Sequence, residues 1–245
     1  MTRLRQIDAF IRADLIGLIR YWYASLLSVG MTLFYYSVFA GNVEGPGIDY
    51  ITYTFVGLAV LAASVFKFAG QIAGERSMDW FMFVRTTPAP LWTRFAAYTL
   101  VSLLLGFISA FGIITVGKIF FGFEFGTPDL IALPVIVLFG TMIFVPVGIG
   151  IGYGFHPRVA PVIASVVYLF SALGSGLFTA GQSPLNNPAL EQWLPLTVTQ
   201  RFSAALVAGE GVELAAPLGM AVGWATVALI VATIAYRRDE GERFS

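Results

Sequence analysis

Few residues in this chain of 245 could do chemistry by type and spacing. Gly112-Ile113-Ile114-Thr115-Val116-Gly117-Lys118 has the spacing of a phosphate-cradling loop, whose lysine would reach the terminal phosphates. Ile119 stands where such a loop needs the Ser or Thr hydroxyl that binds magnesium, and the stretch is apolar rather than set between a strand and a helix. It is read as membrane helix, with Lys118 reaching the outer interface. His156 is the single histidine, in Gly154-Phe155-His156-Pro157-Arg158. A metal site or a nucleophile–base pair needs partners that this turn does not contain. His156 and Arg158 are therefore read as turn residues that could touch a second protein on the inner side. There is no cysteine, which excludes disulfides, thiolate metal sites and thiol nucleophiles.

Lys67 is different, because it sits inside an apolar stretch. Ser64, Lys67, Gln71 and Glu75 follow helical spacing down one face. A charge within a bilayer costs several kcal/mol on insertion scales, about +3 for lysine at a helix centre, so such residues usually face a cavity or a partner. Either Ser64, Lys67 and Gln71 line a cavity or Lys67 snorkels toward the inner surface, and both readings stay open.

The elements that must position these residues follow from composition. Hydrophobic residues make up 58% of the chain and charged residues 11%, with a mean hydropathy of +0.81. A soluble domain carries about a quarter charged residues, so the deficit points to a bilayer as the solvent. Net charge is zero, which gives no case for nucleic acid. Six segments are long and apolar enough to cross: 22–40, 54–74, 95–121, 130–154, 159–178 and 214–236. The expected fold is an all-α membrane protein forming one permease-like unit over residues 1–245. Gly148, Gly150, Gly152 and Gly154 lie in the fourth span as two pairs four apart, which allows close helix packing.

Orientation follows from the bases. With the N-terminus inside, eleven of the fourteen fall on the cytoplasmic side; Lys118 and Arg201 fall outside and Lys67 within a span. Both termini are then cytoplasmic. Residues 1–21 place Leu4, Ile7, Ile11, Leu15 and Leu18 on one face, with Arg5, Arg12 and Arg20 away from it. Such a helix suits the inner membrane interface, its bases near anionic lipid headgroups. The long outer segment before the last span should hold short helices dipping into the outer leaflet.

The most distinctive segment is the inner loop after the second span, Glu75-Arg76-Ser77-Met78-Asp79-Trp80-Phe81-Met82-Phe83-Val84-Arg85-Thr86-Thr87-Pro88-Ala89-Pro90. Pro88 and Pro90 end any helix there. Trp80, Phe81, Phe83 and Val84 are too apolar for a solvated loop and too interrupted by charge for a span. A short helix of this composition must bury itself against lipid headgroups or another protein.

This loop resembles the inner loop of the ABC-2 type transporter permeases, the membrane subunits of a family of ABC exporters. The resemblance rests on the acidic–basic pair Glu75-Arg76, the short amphipathic stretch that follows, and the ending Arg85-Thr86-Thr87-Pro88. A second match is Leu194-Pro195-Leu196-Thr197 followed by Arg201. Together with the basic N-terminal helix and the six spans, the resemblance covers the whole chain. It implies that the loop is a coupling helix docking on an ATPase through Trp80, Phe81 and Phe83, with Glu75, Arg76, Asp79 and Arg85 fixing register. It further implies two permeases, identical or paralogous, and two ATPase subunits in the plasma membrane. ATP and magnesium would sit on the ATPases, with no cofactor, metal or catalytic residue on this chain. The cargo would be a drug-like, peptide or lipid-like compound.

Two alternatives remain. A polysaccharide or glycolipid exporter shares the architecture. A secondary carrier or channel would need ionisable residues at mid-membrane, where only Lys67 comes near.

Overall fold

The computed structural model describes residues 3–20, 22–43, 47–78, 91–127, 129–175, 177, 193–208 and 215–242. Its helices are α1 (Arg3–Arg20), α2 (Trp22–Ala40), α3 (Gly47–Leu61), α4 (Lys67–Arg76), α5 (Leu91–Phe120), α6 (Asp129–Gly154), α7 (Ala160–Gly174), α8 (Pro195–Ala208) and α9 (Ala215–Glu242). A π turn, Ala62–Phe66, joins α3 to α4 without a break. Among the described residues there is no strand.

Among the described residues four helices are long and apolar enough to cross a membrane: Gly47–Arg76, Trp92–Phe120, Asp129–Gly154 and Ala215–Asp239. They coincide with the second, third, fourth and sixth expected spans. The other two expected spans hold shorter apolar helices, Val29–Ala40 within α2 and Ala160–Gly174. The latter has 15 residues and reaches about 22 Å, against a hydrocarbon core of about 30 Å. The second span begins earlier than residue 54, because Ile48, Ile51 and Thr52 are already buried and Asp49 sits in the first turn, where the helix dipole favours an anion.

The surface is as informative as the core. Phe107, Phe111, Ile131, Met142, Phe170, Val222 and Ile230 are all exposed, along with many similar side chains. Soluble proteins rarely carry contiguous apolar surface on this scale, whereas acyl chains solvate it. In the central Gly47–Arg76 helix 67% of the apolar window is buried, against 17% for Ala215–Asp239, so the last helix is mostly turned outward.

The fourth-span glycines explain why α6 can pack on two sides at once. A Cβ on Gly148 would lie 2.6 Å from the Ser64 carbonyl oxygen, and one on Gly152 would lie 2.8 Å from the Ile72 Cβ. That pair faces the π turn and α4. Gly150 and Gly154 face α9 instead, at Ala232 and Ala235. The spacing read in the sequence thus resolves into two packing faces rather than one. At the end of α5, Gly122 takes φ +73° and the Phe123 amide donates to the Gly117 carbonyl, closing the helix with a left-handed cap. Gly117 also gives close access to the Tyr36 hydroxyl, so the glycine of the phosphate-loop look-alike is a packing residue inside a helix.

α1 directly precedes α2 in the chain, yet it packs mainly on α5. Its Phe10 ring lies 5.4 Å from the Arg94 guanidinium, and Arg94 is buried. The opposite side of α1 carries an exposed Arg12–Asp8 ion pair at 3.0 Å.

Candidate functional site

The candidate site begins where α4 stops. The Ser77 amide and hydroxyl both donate to the Gly74 carbonyl, and the Met78 amide donates to Glu75, which turns the chain out of the helix. Glu75 accepts a hydrogen bond from Gln71 at 2.9 Å, one turn earlier on the same helix. Asp79, Trp80, Phe81, Phe83 and Arg85, expected to contact an ATPase, lie outside the described residues.

Arg76 is the pivotal residue at this end. One guanidinium nitrogen donates to the Gly152 carbonyl at 2.9 Å and to the Phe155 carbonyl at 3.2 Å. These are carbonyls at the end of α6, which lack partners within their own helix, and a cation is favoured there. The other nitrogen donates to Asp239 Oδ1, in the closing turns of α9. Asp239 is only 3% exposed and Arg76 15%. The guanidinium also lies 5.9 Å from the Tyr153 ring, which meets Tyr236 edge-on at 5.0 Å. One side chain thus binds α4, α6 and α9. The sequence placed Arg76 among residues facing a partner; its guanidinium is turned into the bundle.

The Ser64–Lys67–Gln71 face divides at the π turn. Ser64 is fully buried and shares a hydrogen bond with Ser102 of α5 at 2.6 Å. Lys67 is half-buried, and its ammonium lies 5.2 Å from the Phe68 ring. Gly70 and Gly74 have open space beside them, so no other described residue packs on α4 at these two positions. His156 lies in the turn between α6 and α7, where its Nδ1 accepts from the Arg158 amide at 3.3 Å and its carbonyl caps the start of α7. Both His156 and Arg158 are exposed. Among the described residues no cluster of His, Cys, Asp and Glu could hold a metal.

The opposite end is built mostly from neutral polar groups around one carboxylate. Asp129, at the start of α6, accepts from the Tyr53 hydroxyl and from the Gly126 amide, the latter at 2.6 Å. Tyr36 and Thr52 share a hydrogen bond at 2.9 Å, and the Tyr50 hydroxyl donates to the Ser175 carbonyl. Helix α8 covers this end. Its Leu196, Val198 and Thr199 are buried, and Gln200 donates to Thr54 at 2.6 Å. Part of the long segment before the last helix, Pro195–Ala208, is thus helical. Sequence reasoning missed Tyr53, Asp129, Gln200 and Asp239, since each looked like an ordinary loop or tail residue. The only available signal was an isolated polar side chain beside an apolar run.

No family model matches the chain. Over 138 residues it is 26% identical to a Bacillus subtilis (strain 168) protein that bears the name "Putative transport permease YvfS". The likeness is partial. It covers 56% of this chain and 56% of that protein, so the chain spans about half the length of the curated relative it matches.

Proposed function

We propose that this chain is the membrane-spanning permease subunit of an ATP-driven exporter of the ABC-2 type. The observation that carries the reading is the loop from Glu75 to Pro90, whose composition suits docking on a second protein and whose root is fixed into the bundle by Arg76. The partial likeness to a transport permease, four long apolar helices and an apolar surface support it. In this reading the chain crosses the plasma membrane six times, α2 and α7 included. α1 lies at the cytoplasmic interface, both termini are cytoplasmic, and α8 closes the outer end of the route.

Two permeases and two ATPase chains make up the working assembly. ATP and magnesium bind the ATPases, and this chain supplies the path for a drug-like, peptide or lipid-like cargo. Nucleotide acts by favouring one of two accessible arrangements over the other, and it can shift the balance only as far as it discriminates between them. The test is purification from native membranes followed by reconstitution in liposomes. An ATPase polypeptide should co-purify, and cargo movement should require ATP. Transport by the isolated chain on an ion gradient alone would instead identify a secondary carrier. Cysteines placed singly at Ser245 and Asn42 should label from opposite sides of the membrane, with Ser245 reached from the cytoplasm.

A further inference from the structure

The groups around Arg76 are arranged in a way that docking alone does not require. A basic residue at the foot of a docking loop would ordinarily point outward, toward the partner or the headgroups. Here the guanidinium turns back, spans the end of α6 and meets a carboxylate that is separated from it by more than half the chain. Asp239 follows Arg237 and Arg238, both exposed, yet it alone of the three is buried. The Tyr153 ring lies beside the Arg76 guanidinium and meets Tyr236 edge-on, and Asp239 is almost wholly buried. A buried ion pair is a poor source of net stability compared with apolar packing, but its geometry is all-or-none.

We propose that Arg76 and Asp239 form a tie through which the loop after α4 moves the last helix, so that Asp239 is a positioning residue for energy coupling. This rests on the reading that the loop docks on an ATPase. The tie lets a pull on the loop reach α9 directly, together with the end of α6, rather than dying out in the turn at Ser77. α9 is mostly turned outward and holds the bundle chiefly through α6, and the tie joins its closing turns to α4 as well.

The cysteine-free chain allows a direct test. A single cysteine at Ala232, fully buried opposite Gly150, reports separation of α9 from α6; one at Thr199, buried in α8, reports the far end. In lipid nanodiscs, where reagent reaches both faces, a polar maleimide should label Ala232→Cys slowly. Adding Asp239→Asn, or Arg76→Gln, should raise that rate at least tenfold while Thr199→Cys stays protected. The two changes together should do no more than either alone, and Asp239→Glu should restore most of the protection. Unchanged labelling in Asp239→Asn overturns the tie, and so does a double variant in which the effects multiply. Equal loss of protection at both reporters overturns it too, since the pair would then only support the fold. In the assembled transporter Asp239→Asn should keep its ATPase and hydrolyse ATP at no less than half the parent rate while transport falls at least tenfold. Absence of any ATPase from the parent preparation would sink the docking reading and leave the labelling result standing, whereas normal transport by Asp239→Asn would sink the tie.

Discussion

The two ends of the bundle are fastened by different chemistry. At the Arg76 end one cation meets one buried carboxylate and two helix-terminal carbonyls, so three helices share a single knot. At the Asp129 end the fastening is spread over a phenol on a carboxylate, a phenol on a hydroxyl, a phenol on a carbonyl and an amide on a hydroxyl. A distributed set of largely neutral bonds can open by degrees, because each contributes only about 1 kcal/mol. A buried ion pair cannot, because half of it left behind is an uncompensated charge. The difference suits the proposed exporter, which would receive force at the Arg76 end and pass cargo at the other.

Removing half of the knot should therefore have the largest effect. Asp239→Ala strands the Arg76 guanidinium and is expected to cost about 3–5 kcal/mol, seen as a large fall in unfolding temperature in bicelles. Next come the glycines that let α6 approach the π turn. Gly148→Ala puts a methyl group against the Ser64 and Val65 backbone and should cost about 1–3 kcal/mol. Gly70→Ala, with open space beside it, should be neutral or stabilise by up to about 1 kcal/mol. Equal effects at Gly148 and Gly70 would remove the case for close packing of α6 on the π turn. Tyr53→Phe should be the mildest of the destabilising changes, at about 1 kcal/mol, because the Gly126 amide still serves Asp129. A loss at Tyr53 as large as that at Asp239 would erase the distinction between the two ends.

Much of this architecture was legible because hydropathy reports immersion in lipid, and immersion dominates these helices. The spans near 95–121 and 130–154 agree with the helices to within a few residues. The glycine pairs were legible for the same reason, since spacing on a helix is local information. The π turn was not, because nothing in the types or spacing of Leu61-Ala62-Ala63-Ser64-Val65-Phe66 sets it apart from ordinary α-helix. Nor was the early start at Gly47, where Asp49 and the polar Thr52 resembled a loop although Thr52 is buried against Tyr36. The Arg76–Asp239 pair was the hardest to see. Both residues sit in charged clusters that read as solvated ends, and nothing local distinguishes Asp239 from Glu240 beside it. Pairing across that much chain is a property of the packed bundle, not of either segment.

In the proposed exporter the loop after α4 carries an ATPase. Trp80 and Phe83 supply the apolar surface that a receiving groove would bury, and truncating a central aromatic commonly costs 2 kcal/mol or more, roughly a thirtyfold loss of affinity. The decisive measurement is co-purification of the ATPase with Trp80→Ala combined with Phe83→Ala, beside the parent and His156→Ala. The double variant should remain folded in the membrane but lose its ATPase and its ATP-driven transport, while His156→Ala keeps both. A double variant that retains its ATPase and transports like the parent would contradict the account, and would make the loop a lipid-facing anchor.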